Sequence, residues 1–100
     1  MKPIRERRRK IDGIDARLVE LLNARTRLAI EIAHYKRTSG MKAVSPARER
    51  AILRRVREAS VGPLDAEAIA RLFRAILNES RRAASASSSR ATTAACGPYR

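Results

Sequence analysis

The chain has 100 residues, of which 44% are apolar and 3% aromatic, and it carries a formal net charge of +13. This length allows one domain with a core, and the scarcity of aromatic and glycine residues favours helices over sheet sandwiches. No apolar run reaches the ~18 to 20 residues of a membrane span, no signal segment opens the sequence, and the single cysteine, Cys96, excludes an internal disulfide and a cysteine-based metal site. We therefore expect an all-α, cytosolic protein that attracts anions, and charge alone does not distinguish nucleic acid from small carboxylates.

The first third of the chain carries a heptad pattern of apolar residues. The pattern keeps alternating steps of three and four from position 11 onward if position 25 is included, and it comprises Ile4, Ile11, Ile14, Leu18, Leu21, Leu28, Ile32 and Tyr35. No proline interrupts it, which predicts one helix of about 34 residues, roughly 50 Å long. A compact monomer of this size has a radius of gyration of about 13 Å and cannot cover such a helix, so the pattern predicts a partner chain.

Two shorter helices are predicted after this long one. Gly40 is placed to end the first helix in a left-handed conformation, and Ser45 before Pro46 has the chemistry of an N-cap, which predicts a second helix to about Ser60. Asp65 is predicted to cap a third helix. The residues expected to be buried are Ile52, Leu53 and Val56 in the second helix and Ile69, Leu72, Phe73, Ile76, Leu77 and Ser80 in the third. Residues 1–84 are thus expected to form one helical domain, and residues 85–100, rich in Ser, Ala and Thr, a disordered tail.

Arg25 is the most informative residue, because it occupies a heptad position that normally takes an apolar side chain. A buried guanidinium without a partner is costly, so Arg25 is expected either to pair with a carboxylate of the protein or to bind an anionic ligand. Lys36 shares this face about 16 Å further along the axis, although a lysine there also favours the helix C-terminus without any ligand. Arg8 is rotated about 100° away, so it reaches such a pocket only in a partner chain; alternatively it belongs to a solvated basic face.

Polar residues also interrupt the apolar faces of the two shorter helices. Arg48 and Glu49 fall in the first turn of the second helix, where Glu49 can accept a hydroxyl, hold an arginine or pair at the surface. The hydroxyl of Ser80 either bonds back to its own helix or points at a ligand. The lone His34 has no second ligand at metal spacing, and the chain has no glycine-rich phosphate loop, so no metal site is expected. Several cations, one acid and one hydroxyl on inner helix faces suit a small dicarboxylate.

Between residues 4 and 84 the sequence resembles a known family, the all-helical (AroQ-class) chorismate mutases, including the mutase domains fused to prephenate dehydratase. The resemblance lies in residues 11–15 (IDGID), 21–25 (LLNAR), 30–36 (IEIAHYK), 46–50 (PARER), 62–64 (GPL) and 69–76 (IARLFRAI), and it ends at Ser80. It implies an intertwined homodimer of three-helix chains with one very long N-terminal helix. It also implies the pericyclic rearrangement of chorismate to prephenate, a step of phenylalanine and tyrosine biosynthesis that needs no cofactor.

The resemblance also implies roles for individual residues. A set of cations and one hydroxyl would hold the two carboxylates of chorismate: Arg25, Lys36 and Ser80 of one chain, assisted by Arg48, and Arg8 of the other chain. Glu49 would accept the ring hydroxyl, and Lys36 would also donate to the ether oxygen as that bond breaks. Such an arrangement agrees with a reaction that needs a folded substrate and donors aimed at developing negative charge.

Two positions depart from the family pattern. Ser45 stands where the family often has Asp, and a serine there still caps the helix. Ala84 stands where the family has Gln or Glu as a second donor to the ether oxygen, and the loss of one such donor commonly costs about 10²- to 10³-fold in rate. The alternatives are therefore a weak mutase, a lyase that removes pyruvate from isochorismate, an aminodeoxychorismate mutase, or an inactive binding or regulatory relative. A nucleic-acid-binding helical protein is a further alternative, which the sequence disfavours because it lacks a recognition motif.

Overall fold

The computed structural model describes residues 2–42 and 44–89, which form three α-helices. Helix α1 spans Lys2–Ser39, α2 spans Pro46–Ala59 and α3 spans Ala66–Ser89. The predicted all-α chain with one very long first helix is thus confirmed. None of the helices in these ranges is both long enough and apolar enough to cross a membrane.

The C-terminal end of α1 is closed by hydrogen bonds around Gly40, where the sequence predicted the helix to end. Gly40 has a positive φ of 75°, a conformation that glycine adopts without a steric penalty. The Met41 N–H donates to the Lys36 carbonyl at 2.9 Å, and the Gly40 N–H donates to the Arg37 carbonyl at 3.4 Å. These two bonds form a Schellman motif, which ends the helix and turns the chain toward α2.

Both shorter helices begin at the predicted side-chain caps. The Ser45 hydroxyl accepts a hydrogen bond from the Arg48 N–H at 3.2 Å, and Pro46 occupies the first helical position. The Asp65 carboxylate accepts from the Ala68 N–H at 2.8 Å. Each cap satisfies a backbone donor that the first helical turn would otherwise leave without a partner.

Helix α3 joins the other two helices, because it packs against both α1 and α2. The small core consists of Ile52, Ala70 and Leu77, and Ser80 is buried beside it. The expected burial of Leu72 is wrong, since this residue is 53% exposed. Leu72 lies about 140° around the helix from Leu77, so it falls outside the face that α3 turns toward its neighbours.

No other part of the described chain, residues 2–42 and 44–89, covers the N-terminal half of α1. Every residue from position 3 to 23 is exposed, including the apolar heptad residues, of which Ile14 is 60% exposed. The molecule measures 55 × 31 × 14 Å and has a radius of gyration of 16.8 Å, whereas a compact chain of this length has about 13 Å. This extended shape is consistent with an intertwined dimer.

The end of α3 differs from the predicted domain boundary at residue 84. The helix continues through Ser89, because no glycine or proline lies between positions 66 and 89 and alanine and serine extend a helix at little cost. The first residues of the predicted disordered tail are therefore helical. Its remaining part, residues 90–100, lies outside the described residues.

Candidate active site

A cavity of about 590 Å³ lies between the C-terminal half of α1, the start of α2 and the C-terminal half of α3. Its volume falls within the range of about 300–1,000 Å³ that is typical of small-molecule sites. The structure brings seven of the predicted site residues together in its wall: Arg25, Lys36, Ser45, Arg48, Glu49, Ser80 and Ala84. Apolar side chains, among them Ile32, Ile52 and Leu77, complete the lining.

The helical periods place these residues in the cavity wall. On α3, Ser80 and Ala84 follow Leu77 at steps of three and four residues, so the face that forms the core continues into the site. On α1, the small side chains of Ala29 and Ala33 lie between the two predicted cations and line the cavity with them. The site is therefore an extension of the core in which polar groups replace apolar ones.

Arg25 contacts α3 through a hydroxyl group. Its Nη1 donates to Ser80 Oγ at 3.4 Å, and Ser80 is only 5% exposed. Over residues 2–42 and 44–89, no carboxylate forms a salt bridge with Arg25. The sequence left two possibilities for this half-buried guanidinium, which were a carboxylate of the protein and an anionic ligand. The described part of the chain provides no carboxylate partner for it.

The cavity has a strong excess of positive charge. Its lining contains five cations, Arg25, Lys36, Arg37, Arg48 and Arg81, against one carboxylate, Glu49. In the part of the chain that the structure describes, neither Lys36 nor Arg48 has a salt-bridge partner. Cations gathered in a cleft with apolar walls create a field that attracts a small anion.

The carboxylate of Glu49 forms a salt bridge with Arg81 of α3. Sequence reasoning allowed that Glu49 could hold an arginine, but it did not identify Arg81 or Arg37 as cavity residues. A signal for Arg81 was present, because it precedes Ala84 by three positions and thus lies on the same side of α3. This signal was weak, since Arg81 and Arg82 together resemble an ordinary solvated pair.

Ser45 links the helix start to the site. Its hydroxyl accepts from the Arg48 N–H, and its carbonyl accepts from the Glu49 N–H at 3.1 Å. These bonds fix the first turn of α2, which presents Arg48 and Glu49 to the cavity. The predicted capping role of Ser45 is confirmed, and the residue also lines the cavity itself.

Arg8 lies apart from this cavity within its own chain. It borders a separate shallow depression on α1 together with Ile4, Arg5, Arg9 and Asp12. This location agrees with the helical-rotation argument that Arg8 cannot join the site of its own chain.

The chemical character of the site is that of an anion-binding pocket. Among the described residues, no three His, Cys, Asp or Glu side chains gather in a way that could hold a metal ion. Guanidinium, ammonium and hydroxyl groups around an apolar wall can neutralise a small dianion and hold it in one conformation. The same groups can donate hydrogen bonds to an oxygen that gains negative charge during a reaction.

Comparisons with known proteins agree with this geometry. Residues 7–84 match the sequence profile of the family described as chorismate mutase type II. The bifunctional chorismate mutase/prephenate dehydratase of Neisseria gonorrhoeae is 43% identical over 72 residues, covering 72% of this chain and 19% of that protein. The protein of the same description from Stutzerimonas stutzeri is 40% identical over 74 residues, covering 69% of this chain and 20% of the relative. The chain thus spans about a fifth of the length of these curated relatives.

A solved structure gives the same result for the fold. The structure of chorismate mutase (form II) from Thermus thermophilus superposes with a TM-score of 0.80 at 28% sequence identity. The superposition covers 82% of this chain and 93% of the Thermus chain. The helical architecture described above is therefore that of nearly the whole Thermus chain.

Proposed function

The chain belongs to the type II chorismate mutase family and is a chorismate mutase domain, and we propose that its central cavity binds chorismate and rearranges it to prephenate. The observation that carries this assignment is the excess of four positive charges around a cavity with a single carboxylate. Chorismate offers two carboxylates to the cations and one ring hydroxyl to the carboxylate. The family acts in aromatic amino acid biosynthesis.

The proposed mechanism rests on positioning and electrostatics. Arg25, held by Ser80, and Arg48 bind the carboxylates, while Glu49 accepts the ring hydroxyl. Lys36 binds the substrate and donates a hydrogen bond to the ether oxygen as the carbon–oxygen bond breaks and the new carbon–carbon bond forms. No proton or group moves between protein and substrate, so the enzyme has only to hold the folded substrate and stabilise the charge that develops.

We further propose that two chains assemble through the exposed heptad face of α1. The apolar residues between positions 3 and 23 are all exposed, and the radius of gyration exceeds that of a compact chain. Burial of apolar area contributes roughly 25 cal/mol per Å², so covering this face stabilises a dimer. The dimer would bring Arg8 of one chain to the cavity of the other, as the family resemblance implies.

Ala84 supports a second candidate function. This residue lines the cavity at the position where the family pattern has a donor, and its methyl group cannot donate a hydrogen bond. A chain without that donor can still bind a dicarboxylate while turning it over slowly. The second candidate is therefore an anion-binding or regulatory relative with the same fold.

In the deciding experiment, the purified chain is incubated with chorismate and, separately, with isochorismate, and the products are identified by NMR. We expect prephenate from chorismate, and we expect Ala84→Gln to raise the rate by up to about 10²-fold because it restores one donor. Ala75→Gln is the matched control, since Ala75 is an exposed residue of the same helix. Turnover by Ala84→Gln alone would favour the binding relative, whereas pyruvate release from isochorismate would favour the lyase. If neither the native chain nor Ala84→Gln forms any product, the proposal is overturned.

A further inference from the structure

We propose that Arg81 is a positioning residue that holds Glu49 in the orientation needed to accept the substrate hydroxyl. This inference rests on the proposed function, because it concerns the carboxylate assigned to the ring hydroxyl. The salt bridge between Arg81 and Glu49 connects α3 with the first turn of α2, and both residues line the cavity. Arg81 is therefore placed to act on substrate binding through its neighbour.

The surroundings of Arg81 fix its guanidinium group. Its Nη2 donates to Asn78 Oδ1, one turn earlier on α3, while its Nη1 contacts the Glu49 carboxylate. The two side chains are 42% and 31% exposed, so the pair lies at the mouth of the cavity. Arg81 thus holds Glu49 from a side chain that is itself anchored to the helix.

This salt bridge differs from the others in the described chain by its location in the cavity. Arg17–Glu20 and Arg82–Glu79 join residues three positions apart on one helix and are well exposed. Arg57–Glu67 also joins α2 to α3, but it lies where α2 ends and α3 begins. Only the Arg81–Glu49 pair, among these four, involves residues that line the cavity.

A carboxylate has enough acceptor capacity for both partners. Its two oxygens offer about four lone-pair sites, so Glu49 can accept from Arg81 and from a substrate hydroxyl together. Holding a flexible glutamate in one rotamer before the substrate arrives removes part of the ordering cost of binding. Removal of Arg81 should therefore weaken a contact that Glu49 makes, without removing a contact to the substrate itself.

A different role for Arg81 would be direct donation to the substrate. Arg81 precedes Ala84 by one turn, and its guanidinium has five N–H donors. It could in principle replace the donor that Ala84 lacks. The two roles predict different couplings, because a positioning residue depends on Glu49 and a direct donor depends on the side chain at position 84.

A double-mutant cycle on chorismate turnover distinguishes these roles. We expect Arg81→Ala to lower kcat/KM by about five-fold, in keeping with a partly exposed ion pair. Arg81→Lys should recover most of this loss, since it keeps the charge. The loss should be absent in the Glu49→Ala background and unchanged in the Ala84→Gln background. Arg82→Ala, which removes an adjacent exposed arginine, should behave as the native chain.

Two kinetic results would overturn the proposal. One is an Arg81→Ala loss that persists in full when Glu49 is already alanine. The other is a loss that disappears when Ala84→Gln supplies a donor, which would assign Arg81 a direct contact with substrate. Thermal unfolding of each variant, followed by circular dichroism, checks that the losses do not come from a destabilised fold.

A second measurement tests the salt bridge without any turnover. In the free protein, Glu49→Gln should shift the Nε–H resonance of Arg81 in a ¹⁵N NMR spectrum and leave that of Arg82 in place. If the native chain forms no prephenate but this shift is seen, the proposed function fails and the contact stands. If the native chain is active and neither the shift nor the kinetic coupling is found, the Arg81 proposal fails alone.

Discussion

The two halves of α1 carry one apolar heptad, but only the second half contains half-buried residues. From position 3 to 23 every residue is exposed, whereas from position 24 onward half-buried residues such as Ala29, Ile30 and Ala33 recur where α3 packs against the helix. The heptad therefore specifies a helix with one apolar face but does not specify which chain covers that face. In the second half α3 covers only part of this face, because Leu28, Ile32 and Tyr35 are still more than half exposed. Our dimer proposal assigns the uncovered heptad residues of both halves to a second chain.

The cations of the two halves differ in the same way. Arg5, Arg8 and Arg9 border an open depression at the N-terminal end of α1, where water screens them. Arg25 and Lys36 line the cavity between three helices, where water is partly excluded and a charge acts more strongly on a bound anion. In the proposed dimer, Arg8 of one chain would lie at the cavity of the other, close to the cations Arg25 and Lys36 of that chain.

The largest effect is expected from charges placed on the exposed apolar face. Ile14→Glu combined with Leu18→Glu puts two carboxylates where the dimer would bury apolar side chains, and each unpaired buried charge costs several kcal/mol. We expect a monomer in sedimentation equilibrium and a loss of turnover of more than about 10³-fold. Ala16→Glu, an exposed position between the two on the opposite side of the heptad, is the matched control. A double variant that remains dimeric and active would disprove the proposed interface.

The next largest effect concerns the cavity. Arg25→Ala removes a cation that donates to Ser80 and that we assign to a substrate carboxylate. We expect chorismate turnover to fall by about 10²- to 10³-fold, which is the usual cost of losing one preorganised donor. Arg17→Ala, on the exposed half of the same helix, should leave turnover unchanged. Normal activity of Arg25→Ala would mean that this guanidinium has a structural role and that the cavity is not the active site.

A mixing experiment joins the two halves of α1 in one test. Arg8→Ala and Arg25→Ala chains are each expected to be nearly inactive, but a heterodimer of the two contains one site with both arginines intact. Random exchange of subunits should therefore restore about a quarter of native turnover, since half of the dimers are mixed and each has one complete site. Absence of any recovery after verified subunit exchange would show that Arg8 does not act across the dimer.

The sequence predicted the helices well because their signals are local. The heptad, Gly40, Ser45 with Pro46, and Asp65 each act through nearby backbone groups, and the observed caps use those residues. The differences between prediction and structure concern features without a local signal. Leu72 is apolar but points away from the neighbouring helices, and the end of α3 lacks any helix-breaking residue before position 90.

The candidate site was predictable where a polar residue interrupted an apolar pattern. Arg25 and Ser80 each interrupt such a pattern, and the structure brings Arg25 Nη1 within 3.4 Å of Ser80 Oγ. The sequence gives only a weak signal for Arg81, because this residue lies beside the apolar face of α3 and its partner is Glu49, 32 positions earlier in the chain. A contact between helices that are distant in sequence depends on how the helices pack, and no period within one helix reports it.

The smallest expected effect distinguishes the capping role of Ser45 from a role in substrate binding. Ser45→Ala removes the hydroxyl that accepts from the Arg48 N–H, and the loss of such a cap destabilises a protein by about 1 kcal/mol. Ser45→Asp retains an acceptor and should preserve stability, which urea unfolding measures for both variants. If capping is the whole contribution of Ser45, Ser45→Asp should turn over chorismate at the native rate. Ser45→Ala should then lose activity only to the extent that the start of α2 becomes less ordered. A loss of turnover in Ser45→Asp at native stability would instead assign the serine hydroxyl to the substrate, and the start of α2 would then contribute a contact to the cavity beyond Arg48 and Glu49.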